Sequence, residues 1–232
     1  MDCILLFLKA PVPGKVKTRL AASIGSKEAA ELYRCFVLDW CDRLYKFCQS
    51  TPASLRVMYS PPDAKAEIGK WLSASGWGEG IENQLYPQCD GDLGDRLHQG
   101  FMAAFANGAE RAIAVGTDSP DLPLARLTQL LAGLRTHDCS IIPSTDGGYC
   151  AIGFHRDHYE PAVFQNMAWS TETVCGDTLG KLKTHQRTAF TLEPWVDVDN
   201  IDDLQALIRN LRNGTIAAQL PRTSKWLSEN HY

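Results

Sequence analysis

Short apolar runs alternate with helix-period stripes along most of the chain, beginning with the run at residues 4–8. A continuous apolar run of that length is too short to cross a membrane and suits a strand buried on both faces of a sheet. Beyond Ser26, placed to cap a helix N-terminus, Leu32, Phe36, Trp40 and Leu44 form a stripe at helical spacing, with Tyr33, Val37 and Cys41 beside it. The pattern then predicts a strand at 55–59, a helix at 64–75 closed by Gly76, a third strand around 81–85 and a helix at 93–106. A strand at 112–115 leads through a proline-rich loop to a helix at 124–134. Strands at 139–142 and 149–154 flank a turn at Asp146, Gly147 and Gly148. A helix near 173–182, a strand near 188–192 and a helix at 201–211 complete the series, and the residues from Gly214 onward show no clear pattern. Strands alternating with helices predict a wound α/β domain over residues 1–213, followed by a C-terminal tail at 214–232 to which the pattern assigns no role.

Composition narrows the function classes. The 232 residues are 44% hydrophobic, enough for a full core, and the net charge of −4 leaves no broad basic surface for nucleic acid. The cations cluster locally, which fits a nucleotide better than a polynucleotide. Asp2 stands where a secretory leader wants positive charge, and no stretch approaches the length of a spanning helix, so a cytoplasmic chain without a membrane span is expected. Eight cysteines include no C-x-x-C pair, and several fall on apolar faces, which predicts free thiols rather than zinc ligands or disulfides. Nothing in the pattern fixes an oligomeric state.

Residues 9–20, KAPVPGKVKTRL, follow the first predicted strand and hold four cationic side chains. Open α/β folds place ligands at the carboxyl edge of the sheet, so Lys15, Lys17 and Arg19 are candidates to neutralise a polyphosphate, and Gly14 allows close backbone approach. The segment is neither a Walker A loop nor a G-x-G-x-x-G turn, because Val16 stands at the required Ser/Thr position and the glycine spacing is absent.

Carboxylates recur where such a loop would need them. Asp118 follows the predicted strand at 112–115, and Asp199 lies in the late acidic stretch DVDN. A wound sheet can bring these segments together to share Mg²⁺ or Mn²⁺, ions that use one or two carboxylates and complete their shell with phosphate oxygens and water. Asp121 reads as a turn residue, and Asp202 and Asp203 as acids at a helix start. Alternation places Asp197 and Asp199 on one face of an extended segment, with Val196 and Val198 turned into the core. In the stretch at 84–97, Gly91 and Gly94 can admit a sugar or base, Asp95 and Arg96 can bind hydroxyls or phosphates, and Asp92 can equally cap the helix. No G-x-S-x-G elbow is present, which weighs against a hydrolytic triad.

In this order, KAPVPGKVKTRL, GDLGDRL, GTDSPDLP, DGGY, WST and DVDNIDDL resemble a family of small bacterial glycosyltransferases of the GT-A nucleotide-diphospho-sugar transferase superfamily. The resemblance spans residues 4–211 and implies a GT-A-like three-layer α/β/α sandwich with a mixed, mostly parallel sheet. It implies a basic loop at Lys15, Lys17 and Arg19, metal acids at Asp118 and Asp199, a sugar-facing loop at Gly147, Gly148 and Tyr149, and an acceptor-side segment at Trp169, Ser170 and Thr171. The chain departs from the family's D-x-D-T-P-x-D-L-like motif at Asn200, Ile201 and Asp202. The activity it implies is transfer of a sugar from a nucleotide-diphosphate sugar to a small-molecule acceptor, with Mg²⁺ or Mn²⁺ as cofactor and Asp146 nominated as general base. Nucleotidyl transfer with pyrophosphate release is the alternative, disfavoured by the absence of a glycine-rich first loop, and a non-catalytic nucleotide-sugar binding protein is the third.

Overall fold

The first apolar run becomes the centre of the sheet because both of its faces are covered. In β1 (Asp2–Lys9), Ile4, Leu6 and Leu8 enter one core cluster and Cys3 and Leu5 enter another on the opposite face. Strand alternation divides the run in this way, and burial of each large aliphatic side chain contributes about 1.5–3 kcal/mol. The computed structural model describes residues 1–74 and 81–232. Its other strands are β2 (Ala53–Ser60), β3 (Leu85–Pro87), β4 (Arg111–Val115), β5 (Cys139–Pro143), β6 (Tyr149–His155) and β7 (Ala189–Thr191), in the sheet order β3-β2-β1-β4-β6-β5-β7. Every neighbouring pair is parallel except the two that involve β6. The expected mixed, mostly parallel α/β sheet is therefore the observed one.

Helices cover both faces. On one side lie α2 (Ser26–Ser50), α3 (Lys65–Ser73) and α5 (Leu124–Gly133); on the other lie α4 (Leu93–Ala106) and α6 (Val174–Thr184). A third cluster joins α1 (Thr18–Ile24) and α2 to α7 (Ile201–Asn213) and α8 (Pro221–Glu229) through Leu20, Phe36, Leu207 and Leu227.

Several predicted boundaries shift for physical reasons. The N-cap of α2 is Gly25 rather than Ser26, because α1 ends one residue earlier and the chain reverses through a glycine at φ 95°. The third strand begins at Leu85; residues 81–84 form a single 3₁₀ turn. Gly76 lies outside the described residues. The tail contains α8, which has no long apolar stripe and docks through Leu220 and Leu227.

Asp39 explains that docking. Pro221 has no N–H, so the first free donors of α8 are the N–H groups of Arg222 and Thr223, and these reach the buried Asp39 carboxylate at 3.1 and 2.9 Å. Helix α2 thus caps α8 from outside. Asp39→Ala strands both donors and should lower the unfolding free energy by about 2–4 kcal/mol in chemical denaturation, while ligand binding in the distant cleft stays within twofold.

Candidate active site

Strand β1 pairs with β2 on one side and β4 on the other, so the chain winds in opposite directions from these two central strands. A crevice opens at such a switch point beyond the carboxyl ends of the strands. Here it is a cleft of about 570 Å³, within the range of small-ligand sites, bounded by the loops after β1 and β4. The side chain of Tyr33 on α2 ties these loops together. Its hydroxyl accepts the Lys9 N–H at 3.0 Å and pairs with Thr117 Oγ1 at 2.9 Å, and burial, reinforced by Asp118, pushes its pKa up to about 12.

In the basic loop, Val16 is buried in the core, whereas Lys15 and Arg19 stand exposed on the cleft wall and make no ion pair among the described residues. Gly14 takes φ 76° with open space where a Cβ would stand, so the turn needs its backbone freedom and nothing crowds it. Lys17 departs from the sequence expectation. Its backbone is left-handed (φ 46°, ψ 45°), its side chain is 3% exposed, and its ammonium contacts both Asp118 Oδ1 and, at 3.1 Å, Asp199 Oδ1. Burial alone would lower its pKa, but the two carboxylates more than offset this and hold it above the ordinary lysine value. Asp118 and Asp199 therefore meet at one point, with the Lys17 ammonium between them.

Asp197 holds this arrangement from behind. Its carboxylate accepts from Ser119 Oγ, from Ser144 Oγ at 2.9 Å and from Cys150 Sγ at 3.4 Å, and burial raises its pKa against the pull of these donors. The Val198 N–H donates to the Asp118 carbonyl at 2.8 Å. Asp197 and Asp199 therefore serve opposite environments, one walled in and one facing the cleft. The segment is not a regular strand, and Val196 is exposed while Val198 is buried, contrary to the alternation argument. Asp121 accepts from Trp195 Nε1 at 3.0 Å and anchors the same segment.

A family described as "uncharacterized protein conserved in bacteria (DUF2064)" matches residues 44–171. The chain belongs to the DUF2064 family. A solved structure from Desulfovibrio desulfuricans G20, provisionally named a nucleotide-diphospho-sugar transferase, is 33% identical over 98% of this chain and 97% of its own, with a TM-score of 0.83. The fold alone is shared with 4-diphosphocytidyl-2C-methyl-D-erythritol synthase from Anaerococcus prevotii DSM 20548 (11% identity, 90% and 99% coverage, TM-score 0.53). The same holds for a nucleotidyl transferase from Methanothermobacter (12% identity, 92% and 99% coverage, TM-score 0.52). No curated protein matches the chain. The architecture of this DUF2064 member is thus that of the nucleotide-diphospho-sugar transferases.

The remaining candidates divide between the cleft and the framework. Arg96, Trp169, Ser170 and the ring of Tyr149 line the cleft, and Arg96 Nε and Trp169 Nε1 are buried donors with no hydrogen-bond partner among the described residues. The Tyr149 hydroxyl, however, is turned toward Thr178, and burial beside Cys139 and Cys175 raises its pKa. Asp95 completes a reciprocal capping box with Asp92 and does not line the main cleft. A Cβ on Gly91 would stand 2.3 Å from Asp95 Oδ2, and one on Gly94 would stand 2.5 Å from the Phe164 carbonyl, so these glycines make room for packing rather than for a ligand. Asp146 accepts the Gly148 N–H at 3.0 Å in an exposed turn, and Asp146, Gly147 and Gly148 are not among the cleft-lining residues.

Sequence reasoning missed Tyr33, which sits in an apolar helical stripe, and Gln88, whose buried amide Nε2 donates to the Leu8 and Met58 carbonyls at 3.1 and 2.7 Å. The only sequence signal was a polar group in an apolar neighbourhood. Gly147 has φ 93°, and a Cβ there would lie 2.0 Å from the Glu172 carbonyl oxygen. Gly147→Ala should therefore lower stability by about 2 kcal/mol or more in thermal or chemical unfolding. A ligand-binding defect at unchanged stability would return this glycine to the site.

Proposed function

We propose that this chain is a transferase that uses Mg²⁺ or Mn²⁺ and passes the sugar of a nucleotide-diphosphate sugar to a small-molecule acceptor. The observation that carries the reading is one cleft in which two exposed cations, Lys15 and Arg19, share the wall with two carboxylates, Asp118 and Asp199, that converge on a single ammonium. A departing nucleoside diphosphate accumulates negative charge as the glycosidic bond breaks, and fixed cations lower that barrier. Lys15 and Arg19 bind and orient the phosphates. Arg96 offers a further donor, and Trp169 and Ser170 line the space for the sugar or acceptor.

The donor set fits the ion. Asp118 and Asp199 present hard oxygens, the donor type of an ion that takes one or two protein carboxylates and completes its shell with water and phosphate. When bound, Mg²⁺ or Mn²⁺ supplies neutralisation of the diphosphate. The basic loop supports sugar transfer over nucleotidyl transfer. Its Val12 and Lys15 N–H groups donate to the loop's own Ala10 and Val12 carbonyls, so fewer backbone donors are left to cradle a triphosphate than in a glycine-rich loop. Asp146 stands outside the cleft and is not retained as the general base.

Purified protein incubated with Mn²⁺, a panel of nucleotide sugars and cell-extract acceptors should release nucleoside diphosphate, and Asp118→Asn should slow release on the order of a hundredfold. Pyrophosphate formed from triphosphates in an Asp118-dependent manner would replace this reading with nucleotidyl transfer; ligand binding without turnover would leave a binding protein. Independently, Arg19→Ala should weaken diphosphate binding by about 1.5–3 kcal/mol while the melting temperature of the free protein stays within about 1 °C, because the exposed guanidinium makes no ion pair among the described residues.

A further inference from the structure

Lys17 is held in a place and a conformation that a passive structural lysine does not need. A lysine in the left-handed region is uncommon and carries a steric cost. The same residue buries its ammonium to 3% exposure against Asp118 and Asp199, whose side chains remain 50% and 34% exposed at the cleft. The carboxylates are open to water and ligands; the cation between them is not. With Lys17 in place the trio carries a net charge of −1, and without it the pair carries −2. A divalent cation entering while the ammonium remains would meet a net charge of −1 instead of −2 and a repelling ammonium within contact distance, so its binding is weakened.

We infer that Lys17 is the resting counter-ion of the Asp118–Asp199 pair, and that the ammonium and a divalent cation occupy this pair in turn. The inference rests on the metal reading of those two acids. Lys17 lines the same cleft as Lys15 and Arg19, so an ammonium displaced by the ion remains beside the wall that meets the diphosphate. One side chain then has two alternating anionic partners, protein carboxylates in the free protein and phosphate in the loaded one. The consequence is a protein that binds divalent cations weakly by itself, because the ion must first expel Lys17. Hydrogen bonds of Asp197 and of the Val198 N–H fix the backbone beside both acids.

The test uses Mn²⁺ alone, titrated into the full chain and followed by the paramagnetic resonance signal of the free ion. Lys17→Met removes the charge at similar length, and Lys17→Gly also removes the left-handed backbone cost, so at least one variant should retain the fold. Both should bind one Mn²⁺ on the order of tenfold or more tighter than the unmodified protein. Adding Asp199→Asn to Lys17→Met should abolish the gain. Equal or weaker Mn²⁺ binding by the Lys17 variants would overturn the inference while leaving the metal reading intact. Failure of every form to bind Mn²⁺ would overturn both.

Discussion

A carboxylate taken out of water must collect donors, and Asp197 collects them from three parts of the chain at once. Ser119 follows β4, Ser144 follows β5 and Cys150 belongs to β6, and all three point at one half-buried acid on a segment that has no regular strand of its own. Ser119 is the neighbour of Asp118, and Asp199 is two residues beyond Asp197. Satisfying one desolvated group therefore fixes the backbone on both sides of the cleft carboxylates. Charge burial of this kind is costly unless the geometry is complete, which makes it an effective determinant of a single arrangement.

The second constraint is electrostatic. Asp118 and Asp199 both reach the Lys17 ammonium that lies between them; without it the two acids would repel. The short helix α1 begins immediately after Lys17, so the left-handed turn that buries the lysine also turns the chain to expose Thr18 and Arg19 at the cleft. Backbone strain, ion pairing and presentation of the phosphate-facing cations are one local solution. Tyr33 adds a neutral tie between the β1 and β4 loops and joins both to α2.

Among the glycines, chemistry and packing part company. Gly14 is set in open space in the basic loop, where freedom of the backbone is the requirement. Gly94 and Gly147 lie against the carbonyls of Phe164 and Glu172, where the absence of a side chain is the requirement. All of them look alike in a sequence, because a D-G or G-x-x-G pattern encodes permissive dihedrals but not what stands opposite the missing Cβ.

Periodicity by itself determined the strands and helices that bury the most apolar area: the alternation in β1, the stripe on α2, the span of α4 and the antiparallel β5–β6 pair all follow from local spacing and burial. It also marked the basic loop and both cleft acids, because uncompensated charges beside a central strand have few structural uses. Helix α8 escaped because its stability comes from a carboxylate on α2, 182 or more residues away in sequence, rather than from its own pattern. Only the tertiary structure decided that Asp197 faces the interior while Asp199 faces the cleft, that Asp95 and Asp146 serve turns and caps, and that Lys17 answers two aspartates. Each of these depends on which distant donor or acceptor lies within about 3 Å of a polar atom, and local sequence carries no measure of that distance.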